Sequence, residues 1–325
     1  MTSFFISSIM FVFLVCVAFA EDITIKFSHV VSENSPKGKA ALYLKNLVEK
    51  RSNGRIKIEI FPRGILFDDI AAVEALSKNI IQLAAPSFSK LSLYEPDFQV
   101  FDLPYIFEDI SDVHRAYFGK IGEILTKKGG KKGIKILAFW DNGFKHLTNN
   151  KKVIKHPLDM GGMKFRIMGG GILSSQFILA GAQPHTKSFS NLKNILSEGI
   201  LDGQENTFSN IYHQELFLSQ RFLTVSKHGY LGYALITSEK FWNSLNEDDR
   251  VILEESIFEA TFYEYEIASK EDKDSFNLLK INSDFMKIYE LSMEETVQWK
   301  AFYGGYMDIF KKNISQEIIQ EVEKL

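Results

Sequence analysis

The chain has 325 residues, 45% of them hydrophobic, and a formal net charge of −3. This length and apolar content suit one or two compact domains with an ample core. A charge so close to neutral is not typical of proteins that bind nucleic acid or acidic membranes, so neither is predicted as a partner.

The first twenty residues have the pattern of a secretory signal peptide. Residues 1–20 carry no charged side chain, residues 9–20 are almost wholly apolar, and Ala18-Phe19-Ala20 precedes Glu21-Asp22. Small residues before such a junction indicate cleavage after export. The alternative, an uncleaved anchor, is less favoured because the apolar run is shorter than the roughly 20 residues of a span. Cleavage would remove Cys16, which excludes disulfides and thiolate chemistry in the mature chain.

The first half of the mature chain alternates between strand and helix patterns. Period-2 or continuous apolar runs predict strands, and the 3.6-residue period predicts helices. We predict strands over residues 23–28, 55–61, 80–84 and 134–140, and helices from Ser35-Pro36 onward, over about 68–78 and over about 110–128. This order predicts parallel βαβ units covered on both faces.

The second half predicts another α/β unit. Residues 141–148 have the composition of a turn leading into extended chain, and we interpret them as a crossing to a second lobe. The elements predicted beyond it are strands over 163–168, 200–206, 226–236 and 286–291, helices over about 172–180 and 246–279, a short helix ending at Gly199, and C-terminal helices.

Arg166 lies inside an apolar run and is the strongest candidate for a functional residue. In the strand pattern, Met163, Phe165 and Ile167 alternate with Lys164, Arg166 and Met168. A guanidinium stays charged at working pH, so on a partly buried face it needs an anionic partner. Two alternatives fit the strand alone: an internal Asp or Glu, or the carboxylate of a ligand.

The chain shows no motif of a familiar enzyme or metal site. Its seven histidines are scattered, and it has neither a Gly-x-Ser-x-Gly elbow nor a dinucleotide fingerprint. The three glycines before residue 172 match no phosphate-loop template. We therefore predict a protein that is not an enzyme and that holds no metal or cofactor.

Six blocks in order resemble the periplasmic substrate-binding proteins of TRAP transporters, specifically the DctP group that captures four-carbon dicarboxylates. The resemblance covers residues 26 to about 301. Its blocks are KFSHVV (26–31) with PKG (36–38), FDLPYIF (101–107), DNGFK (141–145), LDMGGMKFR (158–166), DGQEN (202–206) and HGYLGY (228–233).

The resemblance implies roles for three polar side chains. Arg166 ends the G-x-K-x-R block, whose arginine forms a two-pronged salt bridge with the ligand carboxylate in this family. Asn206 ends the Asp-Gly-Gln-Glu-Asn block and would donate an amide hydrogen bond to the same group. Lys145 stands where many relatives carry an arginine or lysine, and it would meet the second carboxylate.

Further contacts follow from the same resemblance. Phe189 matches an aromatic residue that packs over the bound ligand. His29 and Ser87 stand where residues of the first lobe close the site. Tyr233 and Tyr230 are weaker candidates, because tyrosines there could equally pack the strand that hinges the lobes.

The resemblance also implies an architecture and a cellular role. The fold would be a two-lobed α/β periplasmic-binding-protein fold, each lobe a mixed sheet flanked by helices, with the ligand cleft between them. Lobe I would comprise residues 21–142 and 232–271, lobe II residues 143–231 and 272–300, and residues 301–325 would form C-terminal helices packing across both. The protein would be periplasmic and would deliver succinate, malate or fumarate to TRAP membrane subunits; the alternative is another organic acid, such as a 2-oxo acid, a sugar acid or another monocarboxylate.

Overall fold

The computed structural model describes residues 22–325, so the predicted signal peptide lies outside the described residues. The described chain is a mixed α/β fold, as predicted. Its strands are β1 (Ile23–Ser28), β2 (Ile56–Phe61), β3 (Leu83–Ala84), β4 (Ile134–Asn149), β5 (Lys164–Ile167), β6 (Gln183–Thr186), β7 (Gly203–Asn206), β8 (Phe222–Ser238) and β9 (Lys287–Glu290).

Thirteen α-helices lie within residues 22–325. They are α1 (Pro36–Arg51), α2 (Asp69–Ser77), α3 (Phe88–Leu91), α4 (Ile110–Phe118), α5 (Lys120–Lys131), α6 (Ile172–Leu179), α7 (Leu192–Ser197), α8 (Phe208–His213), α9 (Glu239–Ser244), α10 (Glu247–Ile281), α11 (Met293–Gly304), α12 (Met307–Lys311) and α13 (Gln316–Val322).

Two groups of parallel strands are joined by two long strands. The order is β2-β1-β3-β8-β4-β7-β5-β6, with β9 parallel to the start of β8. β1, β2 and β3 are parallel, as are β5, β6 and β7, whereas β8 and β4 join them through antiparallel pairing. Because β4 and β8 run through both groups, the space between the groups lies beside these two strands.

The turn predicted at the start of residues 141–148 is wrong, because β4 continues through it, whereas the extended chain predicted to follow the turn is part of the same strand. β4 pairs with β8 along most of its length, and the register shifts at three places, one of them between Asp141 and Gly143. Gly143 has a φ of +149°, a value that side-chain-bearing residues rarely adopt. The polar residues that suggested a turn therefore form a β-bulge in the pairing of β4 with β8.

Other boundaries differ more modestly from the prediction. The helix predicted over about 110–128 is two helices, α4 and α5, separated at Gly119. A side chain at Gly119 would place its Cβ 2.4 Å from the carbonyl oxygen of Arg115, so only glycine fits this close approach. The strand predicted over 80–84 contracts to β3, and that over 200–206 contracts to β7.

The long helix α10 spans both strand groups. Asn246 caps it through a hydrogen bond from the Asp249 amide, and three acids in its first turn suit the helix dipole. It packs on α1, β4 and α8. Thr261 accepts a hydrogen bond from the Trp140 indole, which fixes the helix to β4. Across residues 22–325, none of the helices combines the length and apolar character needed to cross a bilayer.

The C-terminal helices contact different parts of the molecule. Trp299 on α11 donates a hydrogen bond to the Lys155 carbonyl, 2.8 Å away. Ser315, which precedes α13, donates to Asp97, which also pairs with Lys128 of α5. Residues 301–325 thus contact chain assigned to lobe I through Ser315. The boundaries of the lobes, and the packing of this segment across both, stay predictions.

Candidate functional site

A small buried cavity lies beside β4 and β8 where the two strand groups face each other. The empty space at this site, including its opening to solvent, is about 280 Å³. From the first strand group and the segments after it come Val30, Val31, Asp69, Ser87 and Lys90; from the second group and β8 come Arg166, Met168, Phe189, Asn206, Asn210, Leu231 and Tyr233. Strand ends are where open α/β folds gather ligands, so this cavity is the candidate site.

Arg166 lines the cavity without a carboxylate partner. Its side chain is 1% exposed, and its Nε donates a hydrogen bond to the Lys187 carbonyl at 3.0 Å. One terminal nitrogen, Nη1, is buried without a hydrogen-bond partner, and no Asp or Glu among residues 22–325 forms an ion pair with Arg166. Burial lowers the pKa of Arg166 to about 10, so the group remains a cation at neutral pH. A buried cation without a counter-ion is costly, and an incoming anion would relieve that cost.

Lys90 brings a second cation to the cavity. It lies on α3, directly after β3, and is 6% exposed. Lys90 and Arg166 line the same cavity. Burial, followed by the charge of Arg166, lowers the pKa of Lys90, against the opposing charges of Asp69 and Asp68. Within the described residues no carboxylate lies within 4 Å of its Nζ. The cavity therefore presents two separate cationic groups to an occupant.

Phe189 contributes an aromatic wall to the cavity, next to Arg166. Its ring centroid lies 5.8 Å from the Arg166 guanidinium carbon. It lines both the inner cavity and an adjoining outer cavity of about 410 Å³. Burial of the guanidinium against this ring strengthens its electrostatic interactions by excluding water.

Asn206 belongs to a network of amides and hydroxyls on the cavity wall. Its Oδ1 accepts hydrogen bonds from the Asn210 side chain at 2.8 Å and from the Thr207 amide at 3.2 Å. Its Nδ2 donates to Gln204 at 3.1 Å, which uses one of its two hydrogens. The Tyr233 hydroxyl accepts from Asn210 at 3.3 Å and also contacts Asn142. One Asn206 hydrogen thus stays available for a ligand.

Of the other residues predicted for the site, Ser87 and Tyr233 line the cavity, whereas His29 and Tyr230 do not. Ser87 lines the cavity, and its buried Oγ has no partner. Tyr233 also lines it, with Lys37 Nζ 3.5 Å from its ring centroid. His29 is buried beside the cavity, where both ring nitrogens lack partners, and burial with the nearby Lys37 lowers its pKa to about 3. Tyr230 instead donates a hydrogen bond to Asp141 at 2.5 Å, away from the cavity.

Lys145, predicted to meet the second carboxylate, lies beside two acidic side chains of the protein. Its Nζ lies 3.1 Å from Glu205 and 3.9 Å from Asp102, and the residue is not among those that line the cavity. β4 and β7 are adjacent strands, so the Glu205 carboxylate reaches the lysine from the next strand. Lys145 is therefore charge-compensated by the protein itself, and the second cation facing the cavity is Lys90.

Sequence reasoning missed Lys90, Asp69 and Asn210. Two of them had a usable signal: Lys90 lies three residues after Ser87 at a helix start, and Asn210 lies four residues after Asn206. Helical spacing of three or four residues places such side chains on one face. Asp69 had no comparable signal, because an acid in the first turn of a helix is ordinary.

A larger hollow exists elsewhere but has a different chemistry. It encloses about 950 Å³ between α10 and the first half of β4, and its lining is mostly aromatic and aliphatic, with Lys135 and Glu254 as its only charged residues. Among residues 22–325, no three His, Cys, Asp or Glu side chains are grouped so that they could hold a metal ion. The cationic inner cavity is the better candidate for recognising an anion.

Comparison with known proteins agrees with the fold and the site. The sequence profile of DctP, bacterial extracellular solute-binding protein, family 7, matches residues 27–313. The C4-dicarboxylate-binding protein DctB of Bacillus subtilis is 41% identical over 304 residues, which is 92% of this chain and 87% of that protein.

Two solved structures have closely similar folds. A TRAP periplasmic solute-binding protein from Sulfurospirillum deleyianum, crystallised with bound succinate, has a TM-score of 0.90 at 38% identity, covering 94% of this chain and 99% of that one. The sugar acid binding protein DctPAm from Advenella mimigardefordensis, in complex with galactonate, also has a TM-score of 0.90, at 27% identity, covering 94% and 97%.

Together, the fold and these similarities define a two-lobed solute-binding protein. The chain belongs to the DctP family of bacterial extracellular solute-binding proteins, as its sequence blocks predicted.

Proposed function

We propose that this protein binds a four-carbon dicarboxylate and delivers it to the membrane subunits of a TRAP transporter. The observation that carries the proposal is the pair of cations, Arg166 and Lys90, that line one buried cavity and that form no ion pair with a carboxylate among the described residues. Two separate cations suit a ligand with two separate carboxylates. The succinate named for the Sulfurospirillum deleyianum protein supports this ligand class.

The roles divide between the two ends of the ligand. The Arg166 guanidinium would grip one carboxylate through its planar fork, and Asn206 would donate to the same group. Lys90 would meet the other carboxylate as a point charge, with the Ser87 hydroxyl beside it. Charge-assisted hydrogen bonds contribute about 1.5–3 kcal/mol each, so several are needed for the roughly 8 kcal/mol of micromolar binding.

A different organic acid is the second candidate. The galactonate bound by the Advenella mimigardefordensis protein supports a sugar acid, which has a single carboxylate. Such a ligand would engage Arg166 and leave Lys90 to contact hydroxyl groups. The affinity ranking of dicarboxylates against sugar acids separates the two proposals.

The cellular setting is part of the same proposal. We infer that residues 1–20 direct export and are removed, so that the mature protein works in the periplasm and returns its ligand unchanged. Mass spectrometry of the exported protein should find a chain beginning at Glu21. Reconstituted TRAP membrane subunits should take up labelled succinate only when the binding protein is added.

Calorimetric titration of the mature protein tests the ligand assignment. Succinate, malate and fumarate should bind with one site, and galactonate and 2-oxo monocarboxylates should bind at least about tenfold more weakly. Lys164→Ala removes an exposed positive charge on β5, two residues from Arg166, and serves as the control for charge alone. It should bind these ligands as the wild type does. Tight binding of a sugar acid with no heat from any dicarboxylate would contradict the proposal.

A further inference from the structure

Asp69 is an acid in the wall of an anion-binding cavity. It lies in the first turn of α2 and is buried. It lines the inner cavity together with Arg166 and also the outer cavity together with Asp68 and Lys187. Its carboxylate therefore stands at the junction of the two spaces. An acid in that position would repel an anionic ligand unless a nearby cation compensates its charge. Alternatively, the repulsion could discriminate between ligands that carry different numbers of carboxylates.

Lys37 compensates Asp69 from behind the cavity wall. Its Nζ donates to the Ala85 carbonyl at 2.8 Å and lies over the Tyr233 ring, and Lys37 is absent from the lining of both cavities. Burial raises the pKa of Asp69, and the charge of Lys37, followed by that of Lys90, opposes this rise. Asp69 also acts electrostatically on Arg166 and Lys90, but among the described residues neither cation forms an ion pair with it, so both remain available for a ligand.

We propose that Asp69 is a specificity-determining residue, which limits the bound ligand to two carboxylates by repelling a third from the outer cavity. This inference rests on the proposed dicarboxylate function. A third carboxylate attached to a four-carbon ligand has to leave the small inner cavity past the Asp69 side chain. There it meets the like charge of a carboxylate that is itself only 8% exposed, and repulsion from a buried charge is stronger than in bulk water.

The physical alternative is exclusion by size alone. The two cavities are continuous in their lining, since they share Val30, Asp69, Lys90 and Phe189. The outer cavity, at about 410 Å³, is the larger of the two. A short extra arm therefore has space outside the inner cavity, and the charge of Asp69 becomes the selective feature.

Three ligands and three proteins separate these possibilities. The ligands are succinate, propane-1,2,3-tricarboxylate, which is succinate with an added carboxymethyl arm, and the analogue in which that arm ends in a neutral amide. The proteins are the mature wild type, Asp69→Asn and Asp68→Asn. Asparagine keeps the shape of either side chain, and at position 68 it also keeps the helix cap that Asp68 supplies to α2.

The expected results are ratios of dissociation constants from calorimetry. The wild type should bind the tricarboxylate at least about a hundredfold more weakly than succinate and should bind the neutral-arm analogue clearly better than the tricarboxylate. Asp69→Asn should reduce the tricarboxylate penalty at least about tenfold, whereas Asp68→Asn should change it less than about threefold.

Each contrary result has a definite meaning. Two results on the wild type would overturn the role of Asp69: equal affinity for succinate and the tricarboxylate, or equally weak binding of the charged-arm and neutral-arm ligands. Two results on the variants would do the same: an unchanged tricarboxylate penalty in Asp69→Asn, or an equal reduction of that penalty in Asp68→Asn. If Asp69→Asn does not fold, the affinities of the wild type for the charged-arm and neutral-arm ligands still separate rejection by charge from rejection by size. Failure of the wild type to bind succinate at all would instead contradict the proposed function.

Discussion

Lys145 Nζ lies 3.1 Å from Glu205 Oε2, and both side chains are almost fully buried. His228 Nε2 is 3.0 Å from the same Glu205 oxygen. Burial by itself would raise the pKa of Glu205, but Lys145 and His228 lower it to about 2. The group joins β4, β7 and β8, and Glu205 forms ion pairs with both Lys145 and His228. We therefore expect these contacts to hold the three strands together.

Removing Lys145 should lower the free energy of unfolding, because its side chain pairs with Glu205 and does not line the cavity. Lys145→Ala leaves the buried Glu205 carboxylate without its lysine, which typically costs about 3–5 kcal/mol. The double variant Lys145→Met/Glu205→Gln removes both charges and should recover much of that loss. Urea unfolding of the ligand-free proteins measures both free energies of unfolding. A single variant as stable as wild type would contradict this account of the pair.

Arg166 should show the opposite balance between stability and binding. Arg166→Met removes a buried cation that has no carboxylate partner among residues 22–325, so the ligand-free protein should keep or gain stability. Its affinity for succinate should fall at least about a hundredfold, because the fork that grips the carboxylate is lost. Thermal melts with and without succinate test both effects. Loss of stability together with unchanged ligand affinity would show that Arg166 is structural.

Two glutamines connect segments assigned to different predicted lobes. Gln99 Oε1 accepts a hydrogen bond from the Ile172 amide at 3.0 Å, and Gln176 Nε2 donates to the Asp102 carbonyl at 2.6 Å. Neither glutamine lines the cavity. The two bonds thus join the segment before α4 to α6 without touching the ligand space.

Loss of either glutamine should speed ligand release. Two-lobed periplasmic binding proteins close around their ligands, and we expect the same here. Each hydrogen bond contributes about 1 kcal/mol, which corresponds to roughly fivefold in the dissociation rate when the bond forms only in the closed state. Gln99→Ala and Gln176→Ala should raise that rate in stopped-flow displacement. Gln183→Ala, on the edge strand β6, is the control that should leave it unchanged. Release at the wild-type rate in both variants would show that these bonds do not depend on closure.

Asp272 should make stability fall as the pH rises. Burial raises its pKa to about 7, against opposing hydrogen bonds from the Ser209 and Phe208 amides. The unfolded carboxyl titrates near about 3.9, so between that pH and about 7 the folded protein binds more protons than the unfolded chain. This contribution to stability is complete below the unfolded pKa and is lost as the pH rises through 7.

The matched variants are Asp272→Asn and Asp274→Asn, since Asp274 is an exposed residue on the same helix. Urea unfolding at pH 4.5 and pH 8 should show a smaller pH effect in Asp272→Asn than in wild type, and a wild-type effect in Asp274→Asn. Identical pH profiles in all three proteins would contradict the assignment to Asp272.

The sequence predicted the family and the position of Arg166 because both depend on local pattern. Alternation along β5 placed Phe165 and Ile167 in the core, where both are buried. The extent of β4 escaped prediction, because pairing with β8 overrides the turn-forming residues at 141–143. Lys145 escaped for a related reason: its partner Glu205 comes from a strand some sixty residues later, and only tertiary structure brings the two together.

The most direct test asks whether Arg166 and Lys90 each receive one carboxylate. Dissociation constants of succinate and its monoamide succinamate, measured by calorimetry on wild type and Lys90→Met, form a thermodynamic cycle. We predict that the change from succinate to succinamate weakens binding to the wild type at least about tenfold and binding to Lys90→Met less than about threefold. The reason is that the second carboxylate of succinate has no cationic partner in the variant, so replacing it with an amide removes no ion pair. An equal loss in both proteins would contradict the two-cation account of this site.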